Sequence, residues 1–221
     1  MRTLLIAALV AAAIPAGMET ARDRQDAAAL QKMVDQYAQA ASKSPNDADA
    51  QYRVALAASY LAQVAQEVRN KPLAKSASER GIPAAEKAVA LRPDAENYRV
   101  LGTLYGQAVT DLFSGLKYGP RAKAAIAKAV EKAPNSSAVY VARGVGNYYL
   151  PEQMGGGSRA AVEDFRKAIQ LDAKNADAYL WLGVALRKEK KDAEARDAIG
   201  KSLKLAPNRL WAKQQLDKTP K

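Results

Sequence analysis

The chain has 221 residues, 34 Lys+Arg against 23 Asp+Glu for a formal net charge of +11, and neither cysteine nor histidine. Those zeros exclude disulfides, thiolate nucleophiles, Fe–S and zinc–thiolate centres, Ser-His-Asp triads and imidazole-ligated metals. A hydrophobic fraction of 48% places the chain among folded globular proteins rather than disordered ones.

In chain order, Met1-Arg2 precedes an apolar run from Leu4 to Ile14 and then Pro15-Ala16-Gly17. The run is shorter than the ~20 apolar residues a membrane-spanning helix needs, so residues 1–16 read as a cleaved secretory signal. A periplasmic or secreted location follows as an expectation. No Cys follows the run to carry a lipoprotein anchor, and no transmembrane span is expected after Ala16. Residues 17–47 read as an N-terminal cap helix, centred on Gln25 to Ser44.

From there the chain repeats. Ala40-Ala41-Ser42-Lys43-Ser44-Pro45-Asn46 has the same shape as Lys87-Ala88-Val89-Ala90-Leu91-Arg92-Pro93-Asp94. It returns at Lys128 to Asn135, at Lys167 to Lys174 with Ala173 in place of Pro, and at Lys201 to Asn208. Each tail is a helix end: apolar residues at three- and four-residue spacing, then Pro as a stop, with Asn or Asp available to cap the next helix. The steps from Pro45 to Pro93, Pro134, Ala173 and Pro207 are 48, 41, 39 and 34 residues. The predicted units are a degenerate repeat 1 at 48–94, repeat 2 at 95–136, repeat 3 with a Gly-rich insertion at 137–175, repeat 4 at 176–209, and a C-terminal cap helix at 210–221 carrying Trp211.

The 34-residue step is the informative one. It carries Tyr179, Leu182-Gly183, Leu186, Ala195, Ile199, Ser202 and Pro207, and Tyr98, Leu101-Gly102, Tyr105, Ala122, Ile126, Ala129 and Pro134 repeat it. Tyr140, Gly144, Ala161, Phe165 and Ala168 give a third copy. This pattern resembles the tetratricopeptide repeat. It implies an all-α solenoid of about four helical hairpins with terminal cap helices, each hairpin burying its apolar face only against its neighbours. The run Tyr148-Tyr149-Leu150-Pro151-Glu152-Gln153-Met154-Gly155-Gly156, with the repeat residues around it, is similar to exported bacterial repeat proteins of the T-component type from tripartite ATP-independent periplasmic transporters. That resemblance implies a periplasmic partner such as a substrate-binding subunit, and permits an oligomer.

Over 34 residues, the steps exceed the plain repeat by 14, 7, 5 and 0, and the excess falls between the two helices of each hairpin. The expectation is either long helices with slack turns or a rim built from Phe113, Tyr118, Tyr148 and Tyr149 along one edge. Gly119-Pro120 is expected to restart the second helix of repeat 2, with Pro in its first turn; Pro83 leaves open whether its helix kinks or starts late.

In this repeat class the first helix of each hairpin lines an inner groove. The corresponding pairs are Arg99 and Thr103, Val141 and Val145, and Leu180 and Val184, with Arg187 at a basic end. An apolar groove with a basic end suits a peptide, an amphipathic helix or a ligand with an acidic head, and not the basic, Asn-rich clamp that chaperone-binding members use for a C-terminal carboxylate. The rival expectation is that Val141 and Leu180 only pack against a neighbouring helix. Arg143, where the other repeats carry Leu, shares a face with Asn147; the two read as an acid-binding pocket together with Arg99, or Arg143 as a structural ion pair with Glu96, Asp111 or Asp164. Ser114-Gly115-Leu116-Lys117 matches a Ser-x-x-Lys nucleophile pattern but lacks its companion motifs. No catalytic residue, metal site, cofactor or nucleic-acid partner is expected; the positive charge permits weak association with anionic surfaces.

Overall fold

A computed structural model describes Pro15 and residues 17–221. Apart from Pro15, the expected signal segment lies outside the described residues. The described chain forms eleven α-helices and one 3₁₀ turn. A short α1 (Met18–Asp23) and α2 (Ala27–Lys43) come first. Four hairpins follow: α3 (Ala48–Glu67) with α4 (Lys71–Leu91), α5 (Ala95–Gln107) with α6 (Leu112–Lys132), α7 (Ser137–Tyr149) with α8 (Ser158–Leu171), and α9 (Ala176–Lys188) with α10 (Asp192–Leu205). The C-terminal helix is α11 (Leu210–Asp217).

The helices start where short polar side chains satisfy otherwise unpaired N–H groups. Asp26, Asp47, Asn70, Asp94 and Asn175 each accept a hydrogen bond from a backbone N–H of the first turn. The expected Asn or Asp directly after Pro supplies the cap only at Asp94. Elsewhere a tight turn occupies one more residue, so Asp47 caps in place of Asn46, and Asn175, two residues after Ala173, caps α9. Ser136 stands where Asn135 was expected, and its side chain makes no capping bond.

Most of the excess length is helix. The first hairpin spends its extra residues on helices of 20 and 21 residues, and α6 also has 21 against 14 in α10. Pro83 lies within α4, which runs from Lys71 without a late start. The expectation for Pro120 is corrected: α6 begins at Leu112, held by a reciprocal capping box between Asp111 and Ser114, so Pro120 sits inside the helix. Only the third hairpin has a long connection. There the 3₁₀ turn Glu152–Met154 leads to Gly155 and Gly157, both at positive φ.

The first helices of the hairpins (α3, α5, α7, α9) pack side by side as an inner layer, and each second helix packs against the inner helices on either side of it. Glycine permits the close approach inside each hairpin. A Cβ on Gly144 would lie 2.5 Å from the Phe165 ring, and one on Gly183 would lie 2.8 Å from the Ala195 carbonyl oxygen. Two apolar cores result. One runs from Met18 to Ala125, and the second, around Phe165, Leu180, Trp181, Ile199 and Trp211, joins α8 to α11. Each fully buried Leu, Ile or Phe in them contributes about 1.5–3 kcal/mol.

Candidate functional site

The inner face of the superhelix is not an open trough. Helix α1 lies against α3, and its Met18 is fully buried. Its Arg22 stacks over the Tyr60 ring at 5.2 Å and pairs with Asp177 at the start of α9, Nη1 to Oδ2 2.8 Å. From the other end of the chain Arg209, 1% exposed, forms a two-nitrogen ion pair with Glu67 at the end of α3 and lies 3.6 Å from Asp23. Gln25 donates to Glu67 at 3.0 Å, and Gln214 donates to Gln25 at 3.0 Å. The first and last described helices therefore meet, and buried charges tie the two cores together across the inside. Burial alone would raise the Asp177 pKa, but the charges of Arg22 and Arg209 outweigh it and hold the carboxyl below its usual range.

This arrangement decides the fate of the expected groove residues. Arg99 is paired with Glu96 at 2.6 and 2.7 Å, and Tyr52 donates to the same carboxylate at 2.8 Å. Burial opposes ionisation of Glu96, yet the Arg99 charge and these hydrogen bonds lower its pKa. Thr103 turns its hydroxyl back onto the Arg99 carbonyl. Leu180 and Val184 are corrected from groove lining to core: they are 0% and 5% exposed, in the cluster that includes Trp211 and Ala212 of α11. Arg187 likewise donates to the Gln215 carbonyl and side chain, so it anchors α11 instead of offering a free basic end.

Arg143 and Asn147 converge on one carboxylate. Arg143 contacts Asp164 Oδ1 at 2.5 Å and the Asn147 amide donates to Oδ2 at 2.8 Å, with Asp164 on α8 almost fully buried. Both oxygens are thus occupied, and Arg99 belongs to a separate pair, so the three do not assemble a pocket for an external acid.

What stays open is α7. Seven residues of α5 and eight of α9 are buried, against only Val139 and Gly144 in α7, although all three helices have 13 residues. Val141, Val145 and Tyr148 fall on one face at helical spacing, half-buried against the second core. Tyr149, 68% exposed, continues the face at the helix end. Tyr148 and Tyr149 sit 5.9 and 6.2 Å from the Trp181 ring, which is 4.9 Å from Trp211, and the Lys188 ammonium lies 4.7 Å from the Tyr148 ring. The result is a partly open apolar strip ending in an aromatic cluster with a cation beside it.

The expected aromatic rim divides. Tyr118 is a correction: the helical extension of α6 turns it inward, where it is buried and stacked on Tyr105 at 5.9 Å. Phe113 is 82% exposed, in the first turn of α6. The residues that sequence reasoning missed are Arg22, Glu67, Asp177 and Arg209. None carries a periodic signal, because their pairing depends on the curvature of the whole superhelix.

Residues 159–190, from the beginning of α8 to just past α9, match the family model described as TPR repeat. No curated protein matches the sequence. Among solved structures, TTC0263, a thermophilic TPR protein in Thermus thermophilus, superposes with a TM-score of 0.61 at 18% identity, covering 91% of this chain and 97% of its own. MamA from Desulfovibrio magneticus RS-1 gives a TM-score of 0.47 at 16% identity, over 90% and 99% of the two chains. YrrB, a TPR protein with an unusual peptide-binding site, gives 0.42 at 18% identity, over 89% and 88%. The fold is that of a TPR-type helical solenoid.

Proposed function

We propose that this is an exported, non-enzymatic repeat protein that binds a polypeptide partner through the exposed strip of α7. The observation that carries the reading is the unfinished burial of α7: Val141, Val145, Tyr148 and Tyr149 form a continuous apolar face that no other described helix completes. A segment with apolar residues at matching spacing would bury that face, with Tyr149 as its aromatic anchor. Catalysis finds no support in the residues at hand. His and Cys are missing, and Ser114 of the Ser-x-x-Lys match is engaged with Asp111 as a helix cap.

Native mass spectrometry of the protein purified from its host's exported fraction tests the reading. The expected result is a co-purifying polypeptide at fixed stoichiometry. It should be lost in Tyr149→Asp, a position 68% exposed, while circular dichroism and Tm stay near those of the parent. Retention of the partner by that variant would overturn the assignment of the strip.

A second reading, a transporter accessory of the T-component kind, draws on the aromatic cluster. Tyr148, Tyr149 and Trp181 with Lys188 alongside offer an apolar wall and a cation to a hydrophobic ligand with an acidic head. A discrete small-mass adduct in the same spectra, on a symmetric oligomer, would favour it over a polypeptide partner.

A further inference from the structure

The four turns that join the first to the second helix of each hairpin emerge on one edge of the solenoid. Of the ten large apolar side chains that are exposed among the described residues, seven fall in or beside those turns: Val68, Val109, Leu112, Phe113, Leu116, Tyr149 and Met154. The opposite edge has Leu91, Leu205 and Leu210, each about 40% exposed. The most prominent group is on α6, which projects because it is longer than its partner α5. Leu112, Phe113 and Leu116 are 75%, 82% and 70% exposed. The three fall at spacings of one and three, on one face of the first turns of α6, and Val109 lies in the connection just before that helix. Folding gains nothing from displaying them, and solvent exposure of such a cluster marks a contact surface.

The charge around the cluster is predominantly positive. Arg69, Lys71, Lys75, Lys117 and Arg121 are all exposed in the first two turns of this edge. Of the nearby carboxylates, Glu67 is paired with Arg209, while Asp111, the exposed cap of α6, keeps its charge and is outnumbered by these five cations. We propose that this edge docks on an anionic lipid bilayer, with Leu112, Phe113 and Leu116 entering the headgroup–acyl boundary and the flanking cations lying over the lipid phosphates.

Three features favour a bilayer over the other candidate occupants. The cluster is a convex projection of three or four side chains, whereas a stable protein contact buries about 800 Å² on each partner. A second copy would bring the same cations face to face. Apolar insertion combined with several Lys and Arg is the pairing of forces that holds peripheral proteins on anionic membranes.

A tryptophan at the cluster reads this directly. In Phe113→Trp the new indole is exposed, while Trp181 and Trp211 are mostly buried and provide a constant background. The expected result is a blue shift of the added emission with vesicles of phosphatidylcholine and phosphatidylglycerol, together with quenching by lipid brominated along its acyl chains. Vesicles of phosphatidylcholine alone should give neither, and added salt should reduce both. A tryptophan in place of Leu205, on the opposite edge, should show no response. Changing Leu112, Phe113 and Leu116 together to Ser should weaken vesicle binding by about tenfold or more, with helix content unchanged. An indole at position 113 that stays unshifted and unquenched in the presence of anionic vesicles would overturn the proposal. So would a blue shift that needs no lipid and grows with protein concentration, which would place a second copy on this edge.

Discussion

Gly183 and Gly106 are both helical glycines, yet the structure gives them opposite roles. A methyl group at Gly183 would press on the Ala195 carbonyl and on Ile199, whereas one at Gly106 would meet nothing within 4 Å. Gly183→Ala should therefore cost about 1–3 kcal/mol through overpacking. Gly106→Ala should be neutral or should add about 0.5–1 kcal/mol by restricting the unfolded chain. Urea unfolding of the two variants measures both, and equal effects would contradict the close approach of α9 to α10. Two partly buried carboxyls make a second prediction at this scale. Asp177 and Glu96 titrate lower when folded than when unfolded, so their stabilisation is complete above the ordinary carboxylate range and is lost as pH falls through the depressed values. Tm should decline on acidification below about pH 4, and Asp177→Asn should lower Tm at neutral pH while flattening that decline. An unchanged acid slope in the variant would remove Asp177 from the account.

At the scale of elements, the hairpins were readable because their signals are local. A Pro ends a helix, a nearby Asp or Asn starts the next, and a Gly facing a bulky residue, such as Gly144 against Phe165, sets the fit within a hairpin. The caps slipped by one residue wherever a tight turn intervened, since turn length is not encoded by the capping residue itself. Asp94 is the cap that fell where the spacing put it, accepting from the Asn97 N–H at 2.8 Å. Asp94→Ala should cost about 1 kcal/mol and should raise amide exchange in the first turn of α5 before that of other helices. Exchange rising equally in all helices would mean that the cap acts only on global stability. The excess length of the early repeats was harder to place. Gly119-Pro120 has the form of a helix start, but the Asp111–Ser114 capping box upstream is a stronger one, and α6 continues through the proline. Tyr118 was misplaced for the same reason: as part of a turn it would point outwards, and as part of a helix it reaches Tyr105. The α7 strip was legible as apolar spacing, but its openness was not, because burial of an inner helix depends on what lies across the superhelix.

At the scale of the whole molecule, the first and last described helical regions are joined by contacts that no local sequence signal carries. Arg209 and Glu67 are 142 residues apart and meet only if all the intervening hairpins stack with the observed twist. The ion pair is buried on both sides, with side-chain exposures of 1% and 4%. Removing one partner strands the other charge, so Arg209→Leu should destabilise the fold by about 3–5 kcal/mol. Limited proteolysis should then cut first around Gln25 and position 209, where α1 and α11 lose their common anchor. First cleavage in the long connection at 150–157 instead would show that the ends hold without it.

Solenoids built from stacked units ordinarily tolerate the gain or loss of a unit, since each one touches only its neighbours. Here the first and last described helices close on each other, so one more hairpin would rotate and displace α11 away from Glu67 and Asp177, and one fewer would leave α1 without its counterpart. The number of hairpins between these two helices is therefore coupled to the buried arginine contacts. Duplication or deletion of a hairpin would break the buried arginine contacts, a cost that arrays without such end-to-end pairing do not carry.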